Sequence, residues 1–298
     1  MIDIESDNLR AVLNPAGAEL WSLKDADGRE LMTDADPAYW TGHAPLLFPI
    51  VGGLRDDRYH LHDGRVFTLP RHGFARRSTF ALIERSEAHA LFRLTDSAET
   101  RAVWPFAFRF DMAYRLDGAT LTTSATITNT GTNTGTNMGD AEMPFSLGYH
   151  PAFAWPLPYG GAKADHRILF EKPEPAPIRR LDGAGQLLAE AEPTPVQGRE
   201  LLPTAALFEA DAVIWDRLES RSLLWGAPGS PNLRIDFQGL PMLGLWQKPG
   251  AAYLCIEPWA GIADPVGFTG PLEEKPGIVL LPPGESRAFR MDVTLVQG

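Results

Sequence analysis

The stretch FAFRFDMAYRLDGATLTTSATI, residues 106–127, decides the fold class because it contains a strand, a turn and a second strand. In residues 106–116, large apolar side chains alternate with small or charged ones, and a period of two places the large ones on one strand face. They are Phe106, Phe108, Phe110, Met112, Tyr114 and Leu116. Asp117-Gly118 predicts a tight turn, and the β-branched residues of 121–127 predict the returning strand. The stretch therefore predicts an antiparallel hairpin.

Similar short strand patterns run from one end of the chain to the other. The clearest are Leu9–Leu13, Glu19–Leu23, Phe80–Ile83, Leu91–Leu94, Leu233–Phe237, Tyr253–Ile256 and Met291–Leu295. No segment longer than about ten residues shows helical periodicity, and Ala205–Glu209 is expected to form a single helical turn. We therefore expect an all-β protein, an antiparallel sandwich or barrel. Because no change in composition divides the chain, we expect one domain over residues 1–298.

Two stretches are predicted to lie at the surface between strands. Asn129–Asp140 is a Thr/Asn/Gly tract too polar to pack, and we expect a flexible hairpin tip there. Glu171–Pro203 contains six prolines among charges and glycines, which predicts a long connection with scattered short strands.

Composition limits the possible partners and the compartment. With 27 basic and 38 acidic residues the net charge is −11, so neither nucleic acid nor an anionic membrane surface is an expected partner. Cys255 is the only cysteine, which excludes an intrachain disulfide and favours a reducing, cytoplasmic compartment. We find no apolar run of about 18 residues. The acidic N-terminus does not resemble a signal peptide.

Three segments place titratable groups beside residues that end or bend a strand. In LPRHGFAR, residues 69–76, Gly73 allows a tight bend that brings His72 and Arg76 to one rim; the alternative is a solvated surface loop. In PFSLGYHPAF, residues 144–153, His150 precedes a proline and is therefore held in extended geometry. Such a rigid histidine suits acid–base work. The alternative is a core histidine bonded to a carbonyl.

The third segment is YLCIEPWAG, residues 253–261. Four apolar residues predict a buried strand that ends at Glu257, where partial desolvation raises the basicity of the carboxylate. The alternative is a glutamate paired with a neighbouring arginine. Cys255 lies inside the apolar run and is expected to be an inert core thiol. Asp211 precedes another short apolar strand, where a turn-forming role is as well supported as a functional one.

Motifs for competing chemistries are missing from the sequence. We find no dinucleotide fingerprint, no phosphate-binding glycine-lysine loop and no Gly-x-Ser-x-Gly elbow. His72, His150 and Glu257 are the types of residue that form a two-histidine, one-carboxylate metal site. No closely spaced ligand pair supports that site, and we expect neither a cofactor nor a metal.

RHGFAR at 71–76, GYHPAF at 148–153 and CIEPWAGIAD at 255–264 together resemble the aldose 1-epimerase, or galactose mutarotase-like, family. The branch with an HGFAR motif is the most similar. GAEL at 17–20, APLLFPIVG at 44–52 and GLWQKPG at 244–250 resemble it too. The motifs follow the order found in the family and span nearly the whole chain.

This resemblance implies a large antiparallel β-supersandwich that binds a sugar on one sheet face and interconverts its anomers without a cofactor. By residue-by-residue matching, it implies that Glu257 is the general base and His150 the general acid. His72 and Arg76 match positions that hold sugar oxygens, and Asp211 matches a substrate-binding acid.

The sequence departs from the family pattern at one position. Many relatives have an arginine after the Val-Gly pair, where this chain has Gly53, and whether Arg55 takes over is left open.

The sequence leaves the substrate and the exact activity open. We expect a free aldohexose, because the chain is acidic. A hexose 6-phosphate is the alternative, for which Arg71, Arg76 and Arg77 are the candidate ligands. A sugar-binding protein without turnover on the same fold is a second alternative. Glycoside hydrolysis would need Glu257 and Asp211 to flank the bond. The chain is expected to be a monomer or a homodimer.

Overall fold

The computed structural model describes residues 1–131 and 142–298, and strands dominate these residues. In chain order the strands are β1 Ile2–Glu5, β2 Leu9–Asn14, β3 Glu19–Asp25, β4 Leu46–Leu47, β5 Arg58–His60, β6 Val66–Thr68, β7 Ala81–Arg85, β8 His89–Thr95, β9 Phe108–Asp117, β10 Thr120–Asn129, β11 Met143–Phe145, β12 Leu147–Tyr149, β13 Ala152–Ala154, β14 Arg167–Phe170, β15 Ile178–Leu181, β16 Leu187–Glu192, β17 Glu200–Leu201, β18 Val213–Trp215, β19 Ser222–Gly226, β20 Asn232–Gln238, β21 Met242–Trp246, β22 Tyr253–Ala260, β23 Val279–Leu281 and β24 Ser286–Val296. The expected hairpin tip at Asn129–Asp140 lies outside the described residues from position 132 onward.

Helical structure in the described residues is short. The α-helix α1 spans Ala98–Val103, and 3₁₀ turns span Arg55–Asp57, Ala75–Arg77, Lys163–Asp165, Ala205–Phe208 and Leu272–Glu274. The turn at Ala205–Phe208 confirms the single helical turn expected there. The sequence did not predict α1, because its six residues are too few for a period of 3.6 to show.

Two large sheets form the framework, and all strand pairs in the described residues are antiparallel within them. The nine-stranded sheet has the order β17-β14-β19-β20-β24-β10-β9-β8-β7. The eight-stranded sheet has the order β16-β15-β18-β21-β22-β12-β4, and β13 also pairs with β22. One hydrophobic core contains side chains from both sheets, so the sheets pack against each other. The antiparallel all-β prediction is confirmed, whereas the single domain stays a prediction.

The predicted hairpin lies at the centre of the nine-stranded sheet as β9 and β10. Asp117 pairs with Thr120, and Gly118 in the turn between them has a φ of 53°. The large side chains from Phe108 to Leu116 are buried, as their alternation predicts. The strand begins at Phe108 and not at Phe106: the Phe106 N–H donates to the Trp104 carbonyl at 2.8 Å, and the Phe108 N–H donates to Asp96 Oδ1 at 3.0 Å.

Strand β22 lies in the eight-stranded sheet and is buried on both faces. Leu254 and Ile256 belong to the core between the two sheets, whereas Cys255 and Trp259 belong to small clusters on the opposite face. The prediction that Glu257 ends this strand was wrong, because β22 continues to Ala260. The run of apolar residues ends at the first charged residue, Glu257, but the strand does not. Because side chains alternate along a strand, Glu257 points to the same face as Cys255.

Candidate active site

A cavity of about 520 Å³ opens on the face of the eight-stranded sheet that is turned away from the core. The five residues singled out from the sequence all line it: His72, Arg76, His150, Asp211 and Glu257. Four segments that are far apart in the sequence therefore converge on one cavity. The roles of these residues stay predictions.

His150 reaches Glu257 because the strand that runs beside β22 is interrupted. β12 ends at Tyr149 and β13 begins at Ala152, so His150 and Pro151 connect two short strands that both pair with β22. The Pro151 carbonyl accepts the Ile256 N–H at 3.2 Å and fixes this connection. His150 Nε2 then lies 3.2 Å from Glu257 Oε2, with side chains that are only 10% and 2% exposed. Glu257 is thus paired with an imidazole and not with an arginine.

Burial disfavours charge on both members of this pair. It raises the pKa of Glu257 well above the usual carboxyl range, and the charge of Asp211 raises it further, while the Trp259 indole opposes the shift. Burial also lowers the pKa of His150 to about 3, and the Arg76 charge acts in the same direction. Burial of the pair therefore favours a protonated carboxyl beside a neutral imidazole.

His72 is held as a neutral donor. Its Nδ1 accepts the Gly52 N–H at 3.1 Å, so the ring proton is assigned to Nε2. Burial lowers the His72 pKa well below its ordinary value, and the charges of Arg76 and Arg71 act in the same direction. The residue has a φ of 66°, a left-handed conformation that is rare for a side-chain-bearing residue. A Cβ at the next residue, Gly73, would lie 2.4 Å from the Phe48 carbonyl oxygen, so only glycine fits this bend.

Arg76 brings a half-buried cation to the cavity. Its Nη2 donates to the Arg71 carbonyl at 3.0 Å, while its Nε has no hydrogen-bond partner in the described residues. Burial lowers its pKa, and the charges of Arg77 and Arg71 lower it further. Neither Arg76 nor Arg71 forms an ion pair within residues 1–131 and 142–298. Positive charge on this rim is therefore not neutralised by a carboxylate in contact.

The positions of two arginines show which guanidinium lies next to Gly53, where many relatives have an arginine. Arg55 lines a separate pocket, and its backbone N–H donates to Asp264 Oδ2 at 2.9 Å. The Arg71 side chain instead lies beside Gly53, with its Nε 3.7 Å from the place where a Gly53 Cβ would be. Arg71 also lines the main cavity. The guanidinium next to Gly53 thus comes from Arg71, and Arg55 does not replace it.

Asp211 has both the turn geometry and the position at the cavity that the sequence left open as alternatives. It has a φ of 65°, and its Oδ1 accepts the Ala212 N–H at 2.9 Å, as a turn-forming aspartate does. The same side chain lines the cavity and raises the pKa of Glu257 through its charge.

A buried ion pair supports the loop that carries Gly52. Lys275 Nζ lies 3.1 Å from Asp264 Oδ1, and the two side chains are 0% and 7% exposed. The Asp264 backbone N–H donates to the Gly53 carbonyl at 2.9 Å. This pair therefore fixes the loop whose Gly52 N–H orients His72.

Three tryptophans form apolar surfaces of the cavity. Trp259 lies flat across the neighbouring strands, because a Cβ on Gly148 or on Gly244 would come within 2.5 Å or 2.3 Å of its indole. Trp40 and Trp246 meet edge to face, with ring centroids 5.5 Å apart. Trp40 lies on a loop without a strand or motif signal, so the sequence offers no basis for predicting its place in the cavity. The sequence does contain a signal for the placement of Trp259, because glycines inside strands let a large ring approach the backbone closely.

Comparison with known proteins supports the family suggested by the motifs. A family profile described as aldose 1-epimerase matches residues 1–294. The chain belongs to the aldose 1-epimerase family. It is 33% identical to the chromosomal LacX protein of Lactococcus lactis subsp. lactis over 99% of both chains.

Solved structures of the family share the fold. A galactose mutarotase related enzyme from Lactobacillus acidophilus has 30% identity and a TM-score of 0.86, over 99% of this chain and 97% of that one. A galactose mutarotase-like protein from Lactobacillus casei has 28% identity and a TM-score of 0.88, over 99% and 100%. The galactose mutarotase-like fold is confirmed, and placement in the HGFAR branch stays a prediction. In the described residues, no helix has both the length and the apolar character needed to cross a membrane.

Proposed function

We propose that this protein is an aldose 1-epimerase, which interconverts the α and β anomers of a free aldohexose by opening and closing the ring. The observation that carries the proposal is the 3.2 Å contact between His150 Nε2 and Glu257 Oε2 at the cavity. Mutarotation needs one group that takes a proton from the C1 hydroxyl and another that gives a proton to the ring oxygen. A carboxyl and an imidazole that share one proton supply both functions.

Glu257 and His150 together take up and supply all the protons that the reaction moves. Moving the shared proton from Glu257 to His150 gives a carboxylate and an imidazolium without any change in total charge. Glu257 then takes the proton of the C1 hydroxyl while His150 protonates the ring oxygen, and the bond between C1 and the ring oxygen breaks. The aldehyde rotates about the C1–C2 bond, and the two transfers reverse on closure. Each positioned transfer contributes about 10²–10⁴-fold.

Other cavity residues are assigned to holding the sugar. His72 offers its Nε2–H and Arg76 its guanidinium to sugar oxygens, and Asp211 accepts hydrogen bonds from hydroxyl groups. Trp259 offers an apolar surface against which the C–H groups on one face of the sugar ring pack.

Polarimetry of a freshly dissolved α-aldose tests the proposal. The wild-type chain is expected to accelerate the decay of optical rotation, and Glu257→Gln is expected to lose at least about 10²-fold of this rate. Glu190→Gln, an exposed glutamate on β16, is the matched control and should keep the wild-type rate. An active Glu257→Gln variant would contradict the assignment of the base. Calorimetric sugar binding without acceleration would instead favour a sugar-binding protein.

A hexose 6-phosphate is a second candidate substrate, favoured by one observation. Arg71 and Arg76 line the cavity, and within the described residues neither contacts a carboxylate. Phosphate is well matched to such an arginine pair. A higher kcat/KM for glucose 6-phosphate than for glucose in the same assay would select this substrate.

A further inference from the structure

The cavity floor brings together three side chains of the types that bind transition metals. Cys255 and Glu257 are two residues apart on β22 and therefore point to the same face, and His150 approaches from the break between β12 and β13. The Cys255 sulfur, a Glu257 oxygen and a His150 ring nitrogen all lie within 4.8 Å of one another. In the described residues this is the one group of three histidine, cysteine or acidic donors with such spacing. His72, which the sequence suggested as a ligand, is not part of it.

The spacing and the donor types match zinc. Zinc binds cysteine sulfur at about 2.3 Å and histidine nitrogen or carboxylate oxygen at about 2.0–2.2 Å, so a tetrahedral site holds its donors roughly 3.5 Å apart. The His150–Glu257 contact of 3.2 Å is already close to this value. The Cys255 sulfur lies within 4.8 Å of the other two donor atoms, so reaching a spacing of about 3.5 Å needs a shift of at most about 1.3 Å. The mixed set of nitrogen, sulfur and oxygen favours zinc over magnesium or calcium, which prefer oxygen ligands.

Access and charge balance also suit a divalent ion. His150 and Glu257 line the cavity, so an ion that enters it meets these two ligands first, and Cys255 lies behind them without exposure. Binding displaces the thiol proton of Cys255 and the carboxyl proton of Glu257 to solvent. The thiolate, the carboxylate and Zn²⁺ then form a neutral group, so no uncompensated charge is buried. The fourth position faces the cavity.

We propose that His150, Cys255 and Glu257 form a zinc-binding site, and that Zn²⁺ bound there inhibits the protein by occupying the atoms that transfer protons. The binding site stands independently of the enzymatic activity. The inhibition rests on the proposed function, because it requires the His150–Glu257 pair to be the acid–base pair.

Cobalt spectroscopy tests the site without any activity measurement. Co²⁺ is titrated into the metal-free full-length protein, and thiolate-to-cobalt absorption in the near ultraviolet is recorded. Zn²⁺ is then titrated by calorimetry. We expect one ion per chain, a thiolate band, and a zinc affinity at least about 10²-fold lower in Cys255→Ala than in wild type. Cys255→Ser provides a second variant of nearly the same size, and near-ultraviolet circular dichroism checks that both variants fold.

Two controls separate this site from surface binding. His62→Gln removes an exposed histidine whose Nδ1 lies 3.8 Å from Glu274, and it should leave the zinc affinity unchanged. Magnesium should neither bind nor inhibit. The site is overturned if no zinc binds, if the cobalt complex lacks the thiolate band, or if both Cys255 variants bind zinc as wild type does.

The activity arm tests the inhibition separately. Wild-type mutarotation should fall with the zinc occupancy measured by calorimetry and recover with a chelator, and Cys255→Ala should need at least about 10²-fold more zinc for the same loss. Full activity at full occupancy would overturn the inhibition. A protein that binds cobalt through Cys255 but never accelerates mutarotation would support the site and refute the proposed function.

Discussion

Replacing Gly244 by alanine tests whether the cavity floor depends on glycine. The new Cβ would lie 2.3 Å from the Trp259 indole, so the ring must rise by about 1.1 Å to reach an ordinary contact of 3.4 Å. Gly244 has no positive φ, so the backbone accepts alanine and the effect comes from the contact alone. Overpacking of this kind costs about 1–3 kcal/mol of stability. Because Trp259 is two residues from Glu257, a displacement near 1 Å should also lower the mutarotation rate by up to about 10²-fold.

Urea unfolding and polarimetry on the same preparations measure both effects. Gly183→Ala is the matched control, because Gly183 also lacks a positive φ and a Cβ there would meet nothing within 4 Å. That variant should remain within about 0.5 kcal/mol of wild type and keep its rate. The reasoning about Trp259 is refuted if Gly244→Ala has the stability and the activity of the control.

Three further predictions concern charge. Burial lowers the pKa of His150 to about 3, so below pH 6.5 the unfolded chain gains a proton that the folded chain does not, and stability falls. The stability of wild type relative to His150→Gln, from urea unfolding, should therefore drop by about 2 kcal/mol between pH 7.5 and pH 5; a rise would mean that the folded imidazole is charged. Lys275→Met leaves the buried Asp264 without its cationic partner and should cost about 3–5 kcal/mol, whereas Asp63→Asn, which breaks an exposed pair with Arg65, should cost at most about 1 kcal/mol; equal losses would contradict this. If the substrate is phosphorylated, Arg71→Met should raise KM for the 6-phosphate by at least about tenfold and leave KM for the free sugar within about twofold; an equal change in both would exclude a phosphate contact.

The sequence predicted strands well where local pattern and tertiary structure agree. Residues 106–127 form the hairpin β9 and β10 because alternation, β-branched residues and a turn glycine all favour the same structure. Glu257 shows the opposite case. A carboxyl group is expected to end a buried strand, but here the strand continues to Ala260, and His150 from the connection between β12 and β13 pairs with that group.

The composition of the site was predictable, but its detailed contacts were not. His72, Arg76, His150, Asp211 and Glu257 were named from turns, strand ends and family motifs, and the fold brings them to one cavity. Contacts between residues far apart in sequence leave no local signal. The placement of Arg71 beside Gly53 and of Trp40 against His150 depends on how loops cross the eight-stranded sheet.

The central claim is that Glu257 and His150 act as one proton-transferring pair, and a double-mutant cycle tests it most directly. Mutarotation rates are measured by polarimetry for Glu257→Gln, His150→Gln and the double variant, each checked for folding. Groups that work as a unit lose their function together, so each single variant should lose at least about 10²-fold and the double variant should be no slower than the slower single one. Losses that multiply in the double variant, or a single variant with wild-type activity, would contradict the claim.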